Sequence, residues 1–203
     1  MTIHFYQDDI PSGLDFGDSI AIDTETQGLV LQRDRLCLIQ LSSGDGDAHL
    51  VQFEADKYDA PNLKKILRNP KSTKIFHFAR FDIASIKAYL EVSCSPIFCT
   101  RIASRLTRTY TEKHGLKDLC SELLGIEISK QQQQSDWARK ELSKEQREYA
   151  ALDVLYLHQL MKILKDRLSR EGRTEMARGC FEFLPHQADL DLGGWGNIDI
   201  FAH

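Results

Sequence analysis

No stretch of the chain stays apolar for anything near the roughly eighteen residues that a membrane-spanning helix needs. A leader is not expected either, because Asp8 and Asp9 stand where a secretory signal carries basic residues and then an apolar run; the expected location is cytoplasmic. Cysteine is sparse and without pattern. The five (Cys37, Cys94, Cys99, Cys120 and Cys180) are odd in number and contain no Cys-x-x-Cys pair, which excludes zinc-site spacing and a disulfide framework and points to reduced thiols. An excess of positive charge is also missing: 26 Lys and Arg face 30 Asp and Glu, for a net charge of -4. That balance excludes a protein that grips long nucleic acid along a uniformly basic surface, while a substrate with one or two phosphates needs only a few local cations. No internal repeat and no linker divides the 203 residues, so one domain spanning 1–203 with a substantial core is expected.

What is present begins at Ser19-Ile20-Ala21-Ile22-Asp23-Thr24-Glu25. Ile20 to Ile22 have the bias of a buried strand, and Asp23 and Glu25, at i and i+2, project from the same face of it. Two carboxylates that close repel by about 4 kcal/mol at an effective dielectric near 20, so the pair reads as half of a metal site or as two solvated acids before a turn at Gly28. Other strands are expected at 3–6, 35–41, 48–53, 73–77 and 96–99, the middle ones neighbouring and antiparallel. Helices are expected over 62–67, over 79–90 with Phe81, Ile83, Ile86 and Leu90 inward, over 100–106, and over 116–124 ending at Gly125. The Ser143-Lys144-Glu145-Gln146 capping box opens a long helix expected to run to about Arg170, followed by another over 173–183 and a glycine- and aromatic-containing tail. Strands first, then helices that dominate, predict an α/β fold with a central mixed sheet flanked by helices. On the long helix Tyr149 and Asp153 lie one turn apart on one face, in apolar company that leaves an acid paired, metal-bound or at a cleft floor.

Asp23, Glu25, Asp82 and Asp153, with Tyr149 one turn from the last, resemble in order and local context the DEDD exonucleases of the tyrosine subclass, whose fold is ribonuclease H-like. The chain also resembles ribonuclease D through Ser129-Lys130-Gln131, Ser135-Asp136-Trp137, Leu142-Ser143 and the segment from Tyr149 to Leu157. A fuller likeness is to the short bacterial family called nanoRNase C. It runs through Arg35-Leu36-Cys37, Lys74-Ile75-Phe76-His77-Phe78, Thr107 to Thr111, His114 to Lys117 and the tail from Phe183 to His203. That resemblance implies a single 3'-5' exonuclease domain without a helical accessory domain. It also implies hydrolysis of very short RNA, dinucleotides above all, to mononucleotides, and assembly into a ring-like octamer.

Phosphodiester hydrolysis of this kind uses two divalent ions, and clustered carboxylates suit Mg²⁺ or Mn²⁺. The expected assignment has Asp23 bridging the ions, Glu25 and Asp153 completing the one that activates water, Asp82 on the other, and Tyr149 orienting or deprotonating the water. Leu29 matches the position where short-oligonucleotide members wedge a leucine between two bases; an ordinary buried leucine is the alternative. Thr24 and His77 are expected near substrate, His77 as a placed histidine more than a catalyst. The polar segment from Arg108 through Tyr110 to His114 is the candidate cap for a terminal phosphate, and Arg101, Arg105 and Arg108 share a helical face. Two other readings stay open. One is an exonuclease of longer RNA or of DNA; the other is an inactive fold kept for nucleotide binding or scaffolding.

Overall fold

In a computed structural model, residues 1–128 and 135–202 are described; Ser129-Lys130-Gln131, the rest of the glutamine run to Gln134, and His203 lie outside them. Six strands form one mixed sheet in the order β1-β4-β3-β2-β5-β6, comprising β1 Ile3–Gln7, β2 Ser19–Thr26, β3 Leu36–Ser42, β4 Ala48–Gln52, β5 Thr73–Phe76 and β6 Ile97–Cys99. The pairs β2–β3 and β3–β4 are antiparallel, as the short polar connection at 43–47 predicts, whereas β1–β4, β2–β5 and β5–β6 are parallel. Strand β3 is buried along its whole length, which explains its unbroken run Leu36-Cys37-Leu38-Ile39 where a half-exposed strand would alternate.

Helices cover both faces: α1 Pro61–Leu67, α2 Ala79–Leu90, α3 Thr100–Thr107, α4 Leu116–Leu119, α5 Lys144–Leu155, α6 Leu157–Arg170 and α7 Thr174–Leu192. The parity of β2 sorts the core into two layers. Ile20 and Ile22 pack with Ile83 of α2 and Leu184 of α7, and Ala21 packs on the other side with Ala150 and Val154 of α5.

Three helix expectations change. The long helix from Ser143 breaks at Tyr156, although no proline or glycine marks the place: α5 packs on β2, β3 and β4, whereas α6 turns to pack on α3 and β5. The predicted end of α7 near Phe183 is nine residues short of Leu192. Pro185 removes one backbone hydrogen bond, but Leu184 and Ala188 are buried toward α2, and Arg80 clamps Asp191 near the far end at 2.7 and 2.6 Å, so the helix continues through it. Past Leu119 the 116–124 helix widens into a π-turn, Cys120–Leu124, before Gly125 closes it at φ +69°.

Candidate active site

Strand β5 pairs only with Ser19–Ala21, so beyond Ala21 one edge of β2 is open, at the carboxyl ends of two parallel strands. A cleft of about 670 Å³ begins there. Asp23 and Glu25 follow the parity of Ala21 and face α5, which supplies Asp153. One oxygen from each of the three carboxyl groups lies within 4.8 Å of the others, the one such group of three among the described residues. Thr24 has the opposite parity and faces α2, where its Oγ1 donates to Asp82 Oδ1 at 2.6 Å. Asp82 therefore comes to the cleft from the other layer, held by Thr24, and stands outside the group of three.

Burial raises all four carboxyl groups. Asp23 is pushed up to about 7. Glu25 goes well above its usual range, by burial first and then by the charges of Asp23, Asp153 and Asp82. Asp153 is raised by burial and by Asp23; Asp82 is raised by the same two causes against the pull of the Thr24 hydroxyl. A cluster of like charges that each hold a proton more tightly than usual lacks positive charge, and its all-oxygen donor set fits a hard divalent cation. Tyr149 lines the same cleft one turn before Asp153, with its ring 6.2 Å from that of Trp137. Its phenol is raised by burial and then by Asp153, Glu25 and Asp23, so it keeps its proton.

Leu29 is 83% exposed and lines the cleft, so the reading as a buried core leucine is excluded. The loop before it explains why. A Cβ on Gly28 would collide with the Asp34 carboxylate, which accepts from Val30 N at 2.9 Å and pairs with Arg33; only glycine lets the turn close this tightly and hold Leu29 outward. His77 also lines the cleft, but its Nδ1 meets Thr100 Oγ1 at 2.9 Å, and burial together with Arg101 pushes its pKa down to about 3, so it is a neutral, anchored ring.

The segment expected to cap phosphate is placed differently. Arg108 is completely buried: it donates to Glu122 Oε1 at 3.1 Å and also to Glu122 Oε2, to Ser104 Oγ at 3.0 Å and to the Lys113 carbonyl at 2.6 Å. His114 is buried against Ser104 Oγ at 2.8 Å, and Tyr110, though exposed, spends its hydroxyl on Glu122 at 2.5 Å. None of the three is among the residues that line the cleft; the cations that do are Arg101 and Lys117. The helical face drawn through Arg101, Arg105 and Arg108 therefore splits, since Arg108 lies past the end of α3 and turns inward. Trp137, Phe78 and Phe81 also line the cleft. Trp137 and Phe78 both lie in segments that carry the family resemblance, Ser135-Asp136-Trp137 and Lys74-Ile75-Phe76-His77-Phe78, but neither segment by itself assigns them to the cleft.

Residues 8–169 match the family described as 3'-5' exonuclease. Brucella melitensis NrnC, solved with bound Mg²⁺, is 54% identical with a TM-score of 0.96, and the match covers 100% of both chains. The chain belongs to the NrnC (nanoRNase C) family of ribonuclease D-like 3'-5' exonucleases. The Brucella NrnC has also been solved bound to pGG, at 55% identity over 100% of this chain and 99% of that one, with a TM-score of 0.97. Escherichia coli RNase D, described as an exoribonuclease involved in structured RNA processing, is 27% identical over 84% of this chain and 45% of that one, with a TM-score of 0.74. A curated relative, Ribonuclease D of Acidiphilium cryptum, is 33% identical over 156 residues, which is 77% of this chain but only 39% of that protein. The NrnC likeness therefore spans the whole chain, and the ribonuclease D likeness only its exonuclease part.

Proposed function

We propose that this protein is a metal-dependent 3'-5' exoribonuclease that hydrolyses very short RNA, preferentially dinucleotides, to nucleoside 5'-monophosphates. The observation that carries this is the convergence of Asp23, Glu25 and Asp153 within 4.8 Å in a cleft of small-molecule volume, with Leu29 exposed on its wall. The relative solved with pGG supports a short substrate. Asp23, Glu25 and Asp153, with Asp82 facing them, would hold two divalent cations, Mg²⁺ or Mn²⁺, which when bound supply charge for a water nucleophile and for the leaving oxygen. The protein's own contribution is placement. The three carboxylates of β2 and α5 fix the site, the Thr24 hydroxyl holds Asp82 in place and partly offsets the rise in its pKa that burial and Asp23 impose, and the protonated Tyr149 phenol would hold the attacking water by a hydrogen bond. Tyr149→Phe is expected to lower kcat about a hundredfold or more while divalent-ion affinity stays unchanged, as titration calorimetry would show; near wild-type turnover removes the role assigned to it.

The decisive assay is a time course on 5'-labelled RNAs of increasing length, from the dinucleotide upward. Rapid clearance of the dinucleotide supports the reading. Rates that are flat or rise with length favour a ribonuclease D-like exonuclease of longer RNA or DNA, the reading that the 33% identity to Ribonuclease D keeps open. In the same assay Leu29→Ala is expected to raise KM for the dinucleotide roughly tenfold with no change in melting temperature, since an exposed side chain contributes little to the fold. Octameric assembly also belongs to this reading. Trp195, Ile198, Ile200 and Phe201 stay exposed after α7, apolar surface that a second subunit would cover. No helix among the described residues is long and apolar enough to cross a membrane, and a cytoplasmic site of action is part of the same proposal.

A further inference from the structure

Besides Leu29, a second large apolar side chain of the cleft is left in water. Phe78 is 49% exposed, lies directly before α2 and four residues before Asp82, and has φ +70°, a left-handed conformation that an aromatic residue rarely takes. Nothing in the turn calls for an aromatic, because glycine or asparagine would adopt that backbone with less strain. The Arg101 guanidinium stands over the ring, 4.9 Å from its centroid, and Arg101 lines the cleft too. A rigid aromatic plane, backed on one side by a cation and open to an acid-lined cleft, is the arrangement by which proteins hold a nucleobase without choosing its identity.

We infer that Phe78, backed by Arg101, is a stacking platform for one base of the bound substrate, separate from the apolar wall that Leu29 provides. The inference rests on the proposed nucleotide substrate. It predicts tolerance of all four bases at that position, since every base offers a π-face and no hydrogen-bond pattern is read.

The test uses the full-length protein and a dinucleotide carrying 2-aminopurine first in one position and then in the other, with Ca²⁺ as the bound cation, and reads quenching of the fluorescent base. Wild-type protein should quench one of the two positions. Phe78→Ala should abolish that quenching and raise KM about tenfold to a hundredfold, with a smaller change in kcat, and Phe78→Trp should restore both. An analogue that lacks the base at the platform position should bind wild type and Phe78→Ala alike. Unchanged quenching and KM in Phe78→Ala overturn the inference. So does an equal loss on the base-less analogue, and so does a change in sedimentation with quenching preserved, which would make Phe78 a subunit contact. Failure of the functional reading looks different: wild type then neither quenches nor cleaves short RNA, and the platform falls with it.

Discussion

Asp23→Asn is expected to reduce turnover about a thousandfold or more while leaving the metal-free protein at least as stable as wild type. The activity loss follows from position: Asp23 is the member of the cluster whose charge raises Glu25, Asp82 and Asp153 alike, so it faces every site where a cation would sit. Losing one such ligand removes several kcal/mol of charge stabilisation, and each 1.4 kcal/mol is about tenfold in rate. The stability effect has the opposite sign. The Asp23 carboxyl rises from 3.8 to about 7 on folding, so between those values the folded protein holds a proton that the unfolded chain releases. Stability of the metal-free protein therefore falls as pH rises from about 4 to about 7, and the penalty is complete above that range. A divalent cation must displace the same proton, so the rise in melting temperature on adding Mg²⁺ should grow over this interval. Asp23→Asn should flatten both dependences. Thermal melts with and without Mg²⁺ between pH 5 and 8, run beside the dinucleotide assay, check all of this; a variant with wild-type turnover, or an unchanged pH dependence of the melts, would refute the role of Asp23.

Arg108→Ala should produce the largest loss of stability among the residues expected to touch substrate, with little effect on the chemistry of the molecules that remain folded. The guanidinium is completely buried and satisfies Ser104 Oγ, the Lys113 carbonyl and both Glu122 oxygens. Its own pKa is raised, chiefly by the hydrogen bond to Glu122, and Glu122 is pulled down to about 2 by the same bond and then by Tyr110. Truncation leaves a cavity and unpaired acceptors, a class of change that costs about 3–5 kcal/mol. Glu122 is 40% exposed and can turn to water, which places the expectation near the lower end, about 3 kcal/mol. In a chain of this size that lowers the melting temperature by about 6–12 °C. If Arg108 instead capped phosphate, as its polar sequence neighbourhood suggests, Arg108→Ala would raise KM for the dinucleotide at an unchanged melting temperature.

The contrast between these two residues explains what could be read from the sequence. Asp23, Glu25, Tyr149 and Asp153 announce themselves by local spacing: period two along a strand places two acids on one face, and a separation of four along a helix places a phenol one turn from a third. Arg108 has no comparable local signal. Its partner Glu122 lies fourteen residues on, across a loop and α4, and only the packing of those elements decides that this arginine enters the core while Arg101, at the start of the helix that Arg108 ends, stays in the cleft. Thr24 and Asp82 show the same limit in milder form. Both were legible as site residues, but the hydrogen bond that joins them spans 58 positions and exists because alternate residues of β2 face different layers.

The sequence by itself determined the α/β class, the order of most elements and the acids that meet at the end of β2, because each follows from a short-range period or from a motif shared with a known family. Tertiary structure alone decided the rest. It broke the long helix at Tyr156, carried α7 through Pro185, pushed Leu29 into solvent through the Gly28–Asp34 contact and left Phe78 strained at the cleft. In each of these cases the outcome turns on which surfaces are buried between elements distant in the chain, a balance of packing, desolvation and backbone strain that no local pattern of residues records.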